Sequence, residues 1–398
     1  MTATTGTSGT TDTADVIVIG AGVQGASLAF HLAERGARVL VVERSGVAAG
    51  ATGRSSGLVR MHYDLLAETR LAWASFPYFR DWAERVGGEC GFTTTGFLWM
   101  ESAEGEGRLR ANVAAHQGLG IETSVVGADE IRRIAPALAV ADGELAAYEP
   151  QSGYADPSGT AAGFMRAARD RGATLVRGAM VTGIPIVGGA VTGVETTKGS
   201  FAAPVVVNVA GGWAARVAAL VGLDIPVTVW RHDTGYVGVP ATVERPLPVV
   251  IDNPNAQYIR AEGSGLALIG LEDENGLDGD PDRDTADAEP GFADRVTERV
   301  IRRVPGLVDG TFQSAHSGQD GLTPDQRAIL GQAGPDGFYL DCGHSGTGFK
   351  TAPAIGLGMA ELILDGAARS VDITPFRLER FAEGRPLAGE HGGVPIWR

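Results

Sequence analysis

Cysteine is nearly absent. Cys90 and Cys342 are the only two in 398 residues, too few and too far apart for a disulfide framework or a thiolate metal cluster. No apolar run reaches the ~18–20 residues that a bilayer span needs. Met1 to Asp15 contains no lysine, no arginine and no apolar core. It is therefore no signal peptide, and residues 1–14 are expected to be a disordered leader. Positive charge is also in deficit, with 33 Lys and Arg against 48 Asp and Glu, a net charge of −15. Nucleic acid and anionic membranes are poor partners for such a chain. The seven histidines show no metal-ligand spacing, and no period repeats. A soluble cytoplasmic protein without a metal is the expectation.

Glycine, in contrast, is abundant: 58 residues, about 15% against a usual ~7%. Without a collagen-like period, this excess points to tight turns and close backbone approach to a ligand. The first concentration is the most informative. Val16-Ile17-Val18-Ile19 reads as a strand buried on both faces and runs into Gly20-Ala21-Gly22-Val23-Gln24-Gly25. A helix follows to Arg35, Gly36 ends it, and Arg38 to Val42 forms a second strand ending at Glu43. In this βαβ unit the glycines allow the turn, the approach of a diphosphate and tight helix packing. Glu43, 23 residues past Gly20, is placed to accept from a ribose hydroxyl, which favours NAD or FAD over NADP. The small-residue stretch Ala48 to Gly57 then suggests more backbone laid along an extended cofactor.

Two further strand–glycine–helix junctions occur. One is Ala203 to Val209 leading into Ala210-Gly211-Gly212-Trp213; the other is Gly337 to Asp341 leading into Cys342 to Lys350 and a helix from Ala352 to Leu364. Along the rest of the chain, helices are expected at Leu65–Arg85 (interrupted by Pro77), Ala103–Gly118, Asp129–Ile134, Gly159–Gly172 and Pro290–Val304. Strands are expected at Phe92–Met100, around Val187–Thr196 and through Val227–Gly270. Asp273 to Ala288 reads as an acidic solvated loop.

With these segments in order, the chain resembles the D-amino-acid-oxidase-like flavoproteins, especially the sarcosine oxidase and glycine oxidase branch. The carriers are Val16 to Gly25, Gly50-Ala-Thr-Gly-Arg-Ser-Ser-Gly57, Asn208-Val-Ala-Gly-Gly-Trp213 and Gly343-His-Ser-Gly-Thr-Gly-Phe-Lys350, spread from Asp15 to about Phe381. The resemblance implies an α/β plus α+β chain: a Rossmann-like FAD-binding domain and a discontinuous substrate domain built on an antiparallel sheet. The first would take residues 15–90, 150–226 and 319–381, the second 91–149 and 227–318, with 382–398 as a tail. It further implies FAD held by Gly20, Gly22, Val23, Gln24 and Gly25 at the diphosphate, by Glu43, Arg44 and Ser45 at the adenosine, and by Val181 through its backbone at the adenine. Thr52, Gly53, Arg54, Ser55 and Ser56 would line the ribityl and flavin side, Ala210, Gly211 and Trp213 the second junction. Gly346, Thr347, Gly348, Phe349 and Lys350 would lie at the flavin pyrimidine edge.

For the substrate, the resemblance implies that Arg60 and Lys350 clamp a carboxylate, Arg bidentately. His232 is a candidate to face the substrate, and Tyr258, on one strand face with Arg260, a candidate to face the flavin. Asp320 is a candidate to hold an amine or to cap a turn. Gly318 stands where sarcosine oxidases attach flavin through a Cys, so FAD is expected to be non-covalent. Ala267 stands where those enzymes carry an oxygen-activating Lys. The implied activity is oxidation of the C–N bond of a small amino acid or N-alkyl amino acid, with oxygen or another electron acceptor. Two rivals keep the fold: a 2-hydroxy-acid dehydrogenase with His232 or His62 as base, and a flavin-binding subunit that needs a partner chain.

Overall fold

The computed structural model describes residues 13–263, 265–272, 277, 279–283 and 287–391. Its centre is a six-stranded sheet in the order Ile329–Gln332, Phe338–Cys342, Val205–Asn208, Val16–Ile19, Val39–Glu43, Thr174–Arg177. All neighbours are parallel except the first pair. Successive side chains alternate faces. Val16, Val18, Val39, Val41 and Val207 pack under the helices, while Ile17, Ile19, Leu40, Val42 and Val206 pack on the other side. This two-sided burial is why the strands read as unbroken β-branched runs.

Helix Val23–Glu34 lies between helices Pro157–Asp170 and Gly348–Asp365, and helix Leu66–Arg80 packs on the latter. Gly356 permits the tightest of these contacts. A Cβ there would sit 2.4 Å from Ser27 Oγ and 2.9 Å from the Ser27 backbone.

The second layer is an eight-stranded sheet, ordered Phe312–Leu322, Thr228–Gly238, Leu266–Leu271, Gln257–Glu262, Val249–Asp252, Phe97–Glu101, Leu145–Glu149, Ser124–Gly127. Its pairs are antiparallel, apart from the parallel pair formed by Val249–Asp252 and Phe97–Glu101. The strands come from both segments expected to build a substrate domain. One of them, Phe312–Leu322, runs past the expected boundary at residue 318. Helix Phe292–Arg303 covers one face, anchored by buried Arg303, which pairs with Asp252 at 2.8 Å and Glu144 at 2.7 Å.

Several local expectations shift. Leu66–Arg80 is helical straight through Pro77, which forgoes only its own bond to the Trp73 carbonyl; the break comes at Asp81, φ −111°. The strand expected at Phe92–Met100 divides at Gly96, φ +75°. The helix expected from Gly159 begins at Pro157, with the Asp156 carboxylate accepting from Ser158 N–H. The two strands expected around Val187–Thr196 are five short ones between Val181 and Ala202. Of the expected leader, residues 1–12 lie outside the described residues; Ala14 N–H bonds the Ala202 carbonyl. Of the expected tail, 392–398 lie outside them, and Leu387 N–H bonds Asp325. Among the described residues no helix is long and apolar enough to cross a membrane.

Candidate functional site

A cleft of about 630 Å³ runs along the carboxyl ends of four parallel strands, where open α/β sheets bind ligands. Ile19 and Gly20, Val42 and Glu43, Val209 and Ala210, and Asp341 and His344 mark these four ends. The opposite wall comes from the eight-stranded sheet, through Trp230, His232, Tyr258 and Gly318 to Asp320.

At the first turn Gly20 has φ +113°, and a Cβ there would meet the Val209 carbonyl oxygen at 2.5 Å. A Cβ on Gly25 would meet the Gly20 carbonyl oxygen at 2.1 Å. Gly25 is thus packed beneath the turn, while Gly22, Val23 and Gln24 face the cleft. Thr52 Oγ1 accepts the Val23 N–H at 3.0 Å, tying the small-residue stretch to the helix start. Arg54, Ser55 and Ser56 line the cleft beside it; Gly53 instead packs against the Ala48 backbone. The Glu43 carboxylate accepts the Ala21 N–H at 2.9 Å and the Ser45 N–H at 2.6 Å. Two of its lone-pair directions remain for a ligand hydroxyl.

Ser45, Val181, Ala210, Gly211 and Trp213 also line the cleft, and so does Met180, which the sequence reading missed. A larger omission is Asp282. It accepts from Arg44 at 2.7 Å, from Trp213 Nε1 at 2.9 Å and from Arg216 at 2.7 Å. Arg44 lies over the Trp213 ring, 4.6 Å from its centroid. Arg44, then Trp213, hold the Asp282 carboxyl down to about 2. Much of the expected solvated loop lies outside the described residues, but its 279–283 part is fastened here.

At the other end, Gly346, Gly348 and Phe349 face the cleft. Thr347 turns away and donates to Glu68 at 3.2 Å. Asp320 accepts the N–H groups of Gly321 at 2.8 Å and Gly346 at 2.7 Å, so its carboxylate fastens this loop. His344 has its Nε2 3.0 Å from Asp341 Oδ1. Burial opposes its protonation, but Asp341 raises its pKa overall. On the sheet wall, His232 Nε2 is 3.0 Å from the Tyr258 hydroxyl, which also bonds Ser56. Tyr258 fits because its cross-strand neighbour is Gly270, where a Cβ would fall 2.2 Å from the ring.

Arg60 and Lys350 do not line this cleft. Both are buried behind its glycine-junction end and meet at Tyr63. The Arg60 guanidinium lies 4.2 Å, and Lys350 Nζ 5.7 Å, from the Tyr63 ring centroid. Arg60 also donates to the His62 carbonyl.

The structure also brings together His62, His116 and Glu149, all buried, with one ligand-type atom of each within 4.8 Å of the others. Spacing along the chain gave no sign of this group. Arg60 beside it disfavours a metal cation and, after burial and His116, helps push the His62 imidazole well below its usual range.

A family model described as FAD dependent oxidoreductase, DAO, matches residues 15–362. The chain belongs to this family. Mouse (Mus musculus) mitochondrial sarcosine dehydrogenase is 30% identical over 93% of this chain and 41% of its own length. The chain thus spans under half of that relative. Sarcosine oxidase subunit beta of Rhodobacter capsulatus is 26% identical over 93% of this chain and 89% of its own. Among solved structures, L-proline dehydrogenase from P. horikoshii superposes with TM-score 0.88 at 26% identity, covering 95% of this chain and 100% of that one. Glycine oxidase from Geobacillus kaustophilus gives 0.82 at 26% identity, covering 93% and 99%.

Membership makes FAD the cofactor, and the cleft fits it. The glycine turn has no room for side chains at Gly20 and Gly25, and Glu43 has lone pairs to spare. Gly318 lines the cleft, and a Cβ there would lie 3.3 Å from Arg54 Cβ; it supplies no thiol for a covalent link. One assignment within the family frame needs correction. Ala267 points into the apolar core behind the sheet with Val237 and Ile259, whereas Leu268 shares the cleft-side cluster with Tyr258. Leu268 is the residue to compare with the oxygen-activating Lys. Neither position carries a lysine: of the chain's two lysines, Lys198 is exposed with its Nζ on the Arg177 carbonyl, and Lys350 is buried near Tyr63.

Proposed function

We propose that the chain oxidises the C–N bond of a small amino acid or N-alkyl amino acid. The observation that carries this reading is the pairing of Arg60 and Lys350 at Tyr63, behind a cleft built for FAD. When bound, FAD supplies the redox chemistry, accepting a hydride from a carbon next to nitrogen and leaving an imine that water hydrolyses. The protein's own contribution is placement. Gly20, Gly22, Val23 and Gln24 hold the diphosphate, and Glu43 the ribose. Arg44, Ser45 and Val181 border the adenosine. Thr52, Arg54, Ser55 and Ser56, with Gly346, Gly348 and Phe349, flank the ribityl and ring.

Arg60 takes the substrate carboxylate with two parallel N–H bonds, and the buried surroundings strengthen that attraction. The His232–Tyr258 pair on the sheet wall faces the substrate side, its hydroxyl kept protonated by burial. Asp320 keeps Gly346 in place, with its N–H bonded to the carboxylate. The substrates named for the relatives, sarcosine, glycine and L-proline, are all small amino acids, and sarcosine and proline carry secondary amines. Absence of a lysine on the Leu266–Leu271 strand favours an acceptor other than oxygen.

The test is anaerobic mixing of the FAD-loaded protein with glycine, N-methyl, cyclic, D- and L-amino acids and 2-hydroxy acids. Bleaching of the yellow absorbance by an amino acid is the expected result. Bleaching by hydroxy acids alone would replace this reading with the dehydrogenase rival. Bleaching by none would leave the partner-subunit reading in its place.

A further inference from the structure

Lys350 is a buried amine in unusual surroundings. It is 6% exposed, and its Nζ donates a hydrogen bond to the Gly346 carbonyl oxygen at 3.5 Å. Four groups face it: Arg60, Tyr63, Glu68 and Asp320. Neither acid is free. Glu68 pairs with Arg327 at 2.8 Å and accepts from Thr347, while Asp320 accepts from two backbone N–H groups. The Tyr63 hydroxyl is held protonated by burial. Among the described residues no carboxylate lies within ion-pair distance of Nζ, and the fixed cation Arg60 shares the same aromatic ring. A lone ammonium in that setting is strongly disfavoured. Burial, then Arg60, push the amine well below its usual range.

An amino acid arrives as a zwitterion, and its ammonium must lose a proton before the nitrogen lone pair can form an imine. Resting on the function proposed above, we propose that Lys350 is the base that takes this proton. The substrate carboxylate docks on Arg60 and brings a negative charge beside Nζ. That charge favours the lysine ammonium at the same moment that the substrate offers a proton. The substrate N–H bond breaks, the Nζ lone pair forms the new N–H bond, and the ammonium so made pairs with the carboxylate. The pocket gains no net charge and releases no proton to water. Lys350 is thus neutral before docking and becomes the second arm of the clamp because of it.

Two variants separate base from anchor. Lys350→Arg keeps a cation for the carboxylate but cannot accept a proton near neutrality. Lys350→Ala leaves space for an added amine. Both are loaded with FAD and checked by visible spectrum. Then the anaerobic reduction rate at saturating substrate is followed against pH, alongside affinity for an acid that has no amino group. The expected result for the wild type is a rate independent of pH from neutrality upward. In Lys350→Arg acid binding should survive, while the rate climbs roughly tenfold per pH unit toward the substrate's own amine pKa. Ethylamine should restore rate to Lys350→Ala in proportion to its neutral fraction. A wild-type pH profile in Lys350→Arg would overturn the proposal, as would failure of ethylamine to rescue Lys350→Ala. In that case Lys350 is only an anchor, and the proposed function stands so long as the wild type is reduced. A wild type that no amino acid reduces would instead end the reading on which this one rests.

Discussion

Glu43 does more than its position in the motif implies. Its carboxylate fastens both Ala21 and Ser45 while leaving acceptor capacity for a ribose. Replacing it removes charge-assisted bonds of ~1.5–3 kcal/mol. Glu43→Ala is therefore expected to weaken FAD binding roughly tenfold to a hundredfold, read from the fluorescence of free FAD at equilibrium. Wild-type affinity would remove Glu43 from the nucleotide site. This residue was legible because a βαβ unit places its acid at a fixed distance from the glycines. Ala267 was not, because on a strand a one-residue slip in alignment reverses the face. Only the packing of Leu268 beside Tyr258 reveals which residue looks into the cleft.

Among the elements, strands and helices with a strong period were readable from the sequence, and their ends were not. Helix Pro157–Asp170 had a legible start, Asp156 followed by Pro157, yet the glycine at 159 drew the boundary forward. The 279–283 segment was hidden for a different reason. Its acids look solvated in sequence, and only the fold brings Arg44 from one distant segment, and Trp213 and Arg216 from another, around Asp282. These exposed pairs are individually weak. Asp282→Ala is accordingly expected to speed FAD release only about threefold to tenfold, measured by FAD fluorescence after dilution. An unchanged rate would show that this segment does not cover the adenosine end. The pH dependence follows from the direction of the shift. The Asp282 carboxyl falls from 3.8 to about 2 in the folded chain. Its contribution is thus fully present above 3.8 and is lost as pH falls through about 2. Release through this contact is therefore flat from pH 8 down to pH 4 and rises only in stronger acid.

At the scale of the whole molecule, the site depends on the return of the chain. Strand Phe338–Cys342 joins the sheet begun by Val16–Ile19 with only Val205–Asn208 between them. Helix Gly348–Asp365 then packs along Val23–Glu34. That return carries Lys350 to Tyr63 and Arg60 from the opposite end of the sequence. The three glycine junctions made the return legible. The burial of Arg60 and Lys350 behind the cleft and the His62–His116–Glu149 group were not, because each depends on contacts between segments with no shared pattern. The account stands or falls on the clamp. Its most direct test is titration of FAD-loaded wild type and Arg60→Met with a small carboxylic acid, followed by the change in the flavin spectrum. Loss of a bidentate, charge-assisted contact should weaken the acid roughly tenfold to a hundredfold while FAD stays bound. Equal affinity in the two proteins would place the substrate elsewhere and contradict the account.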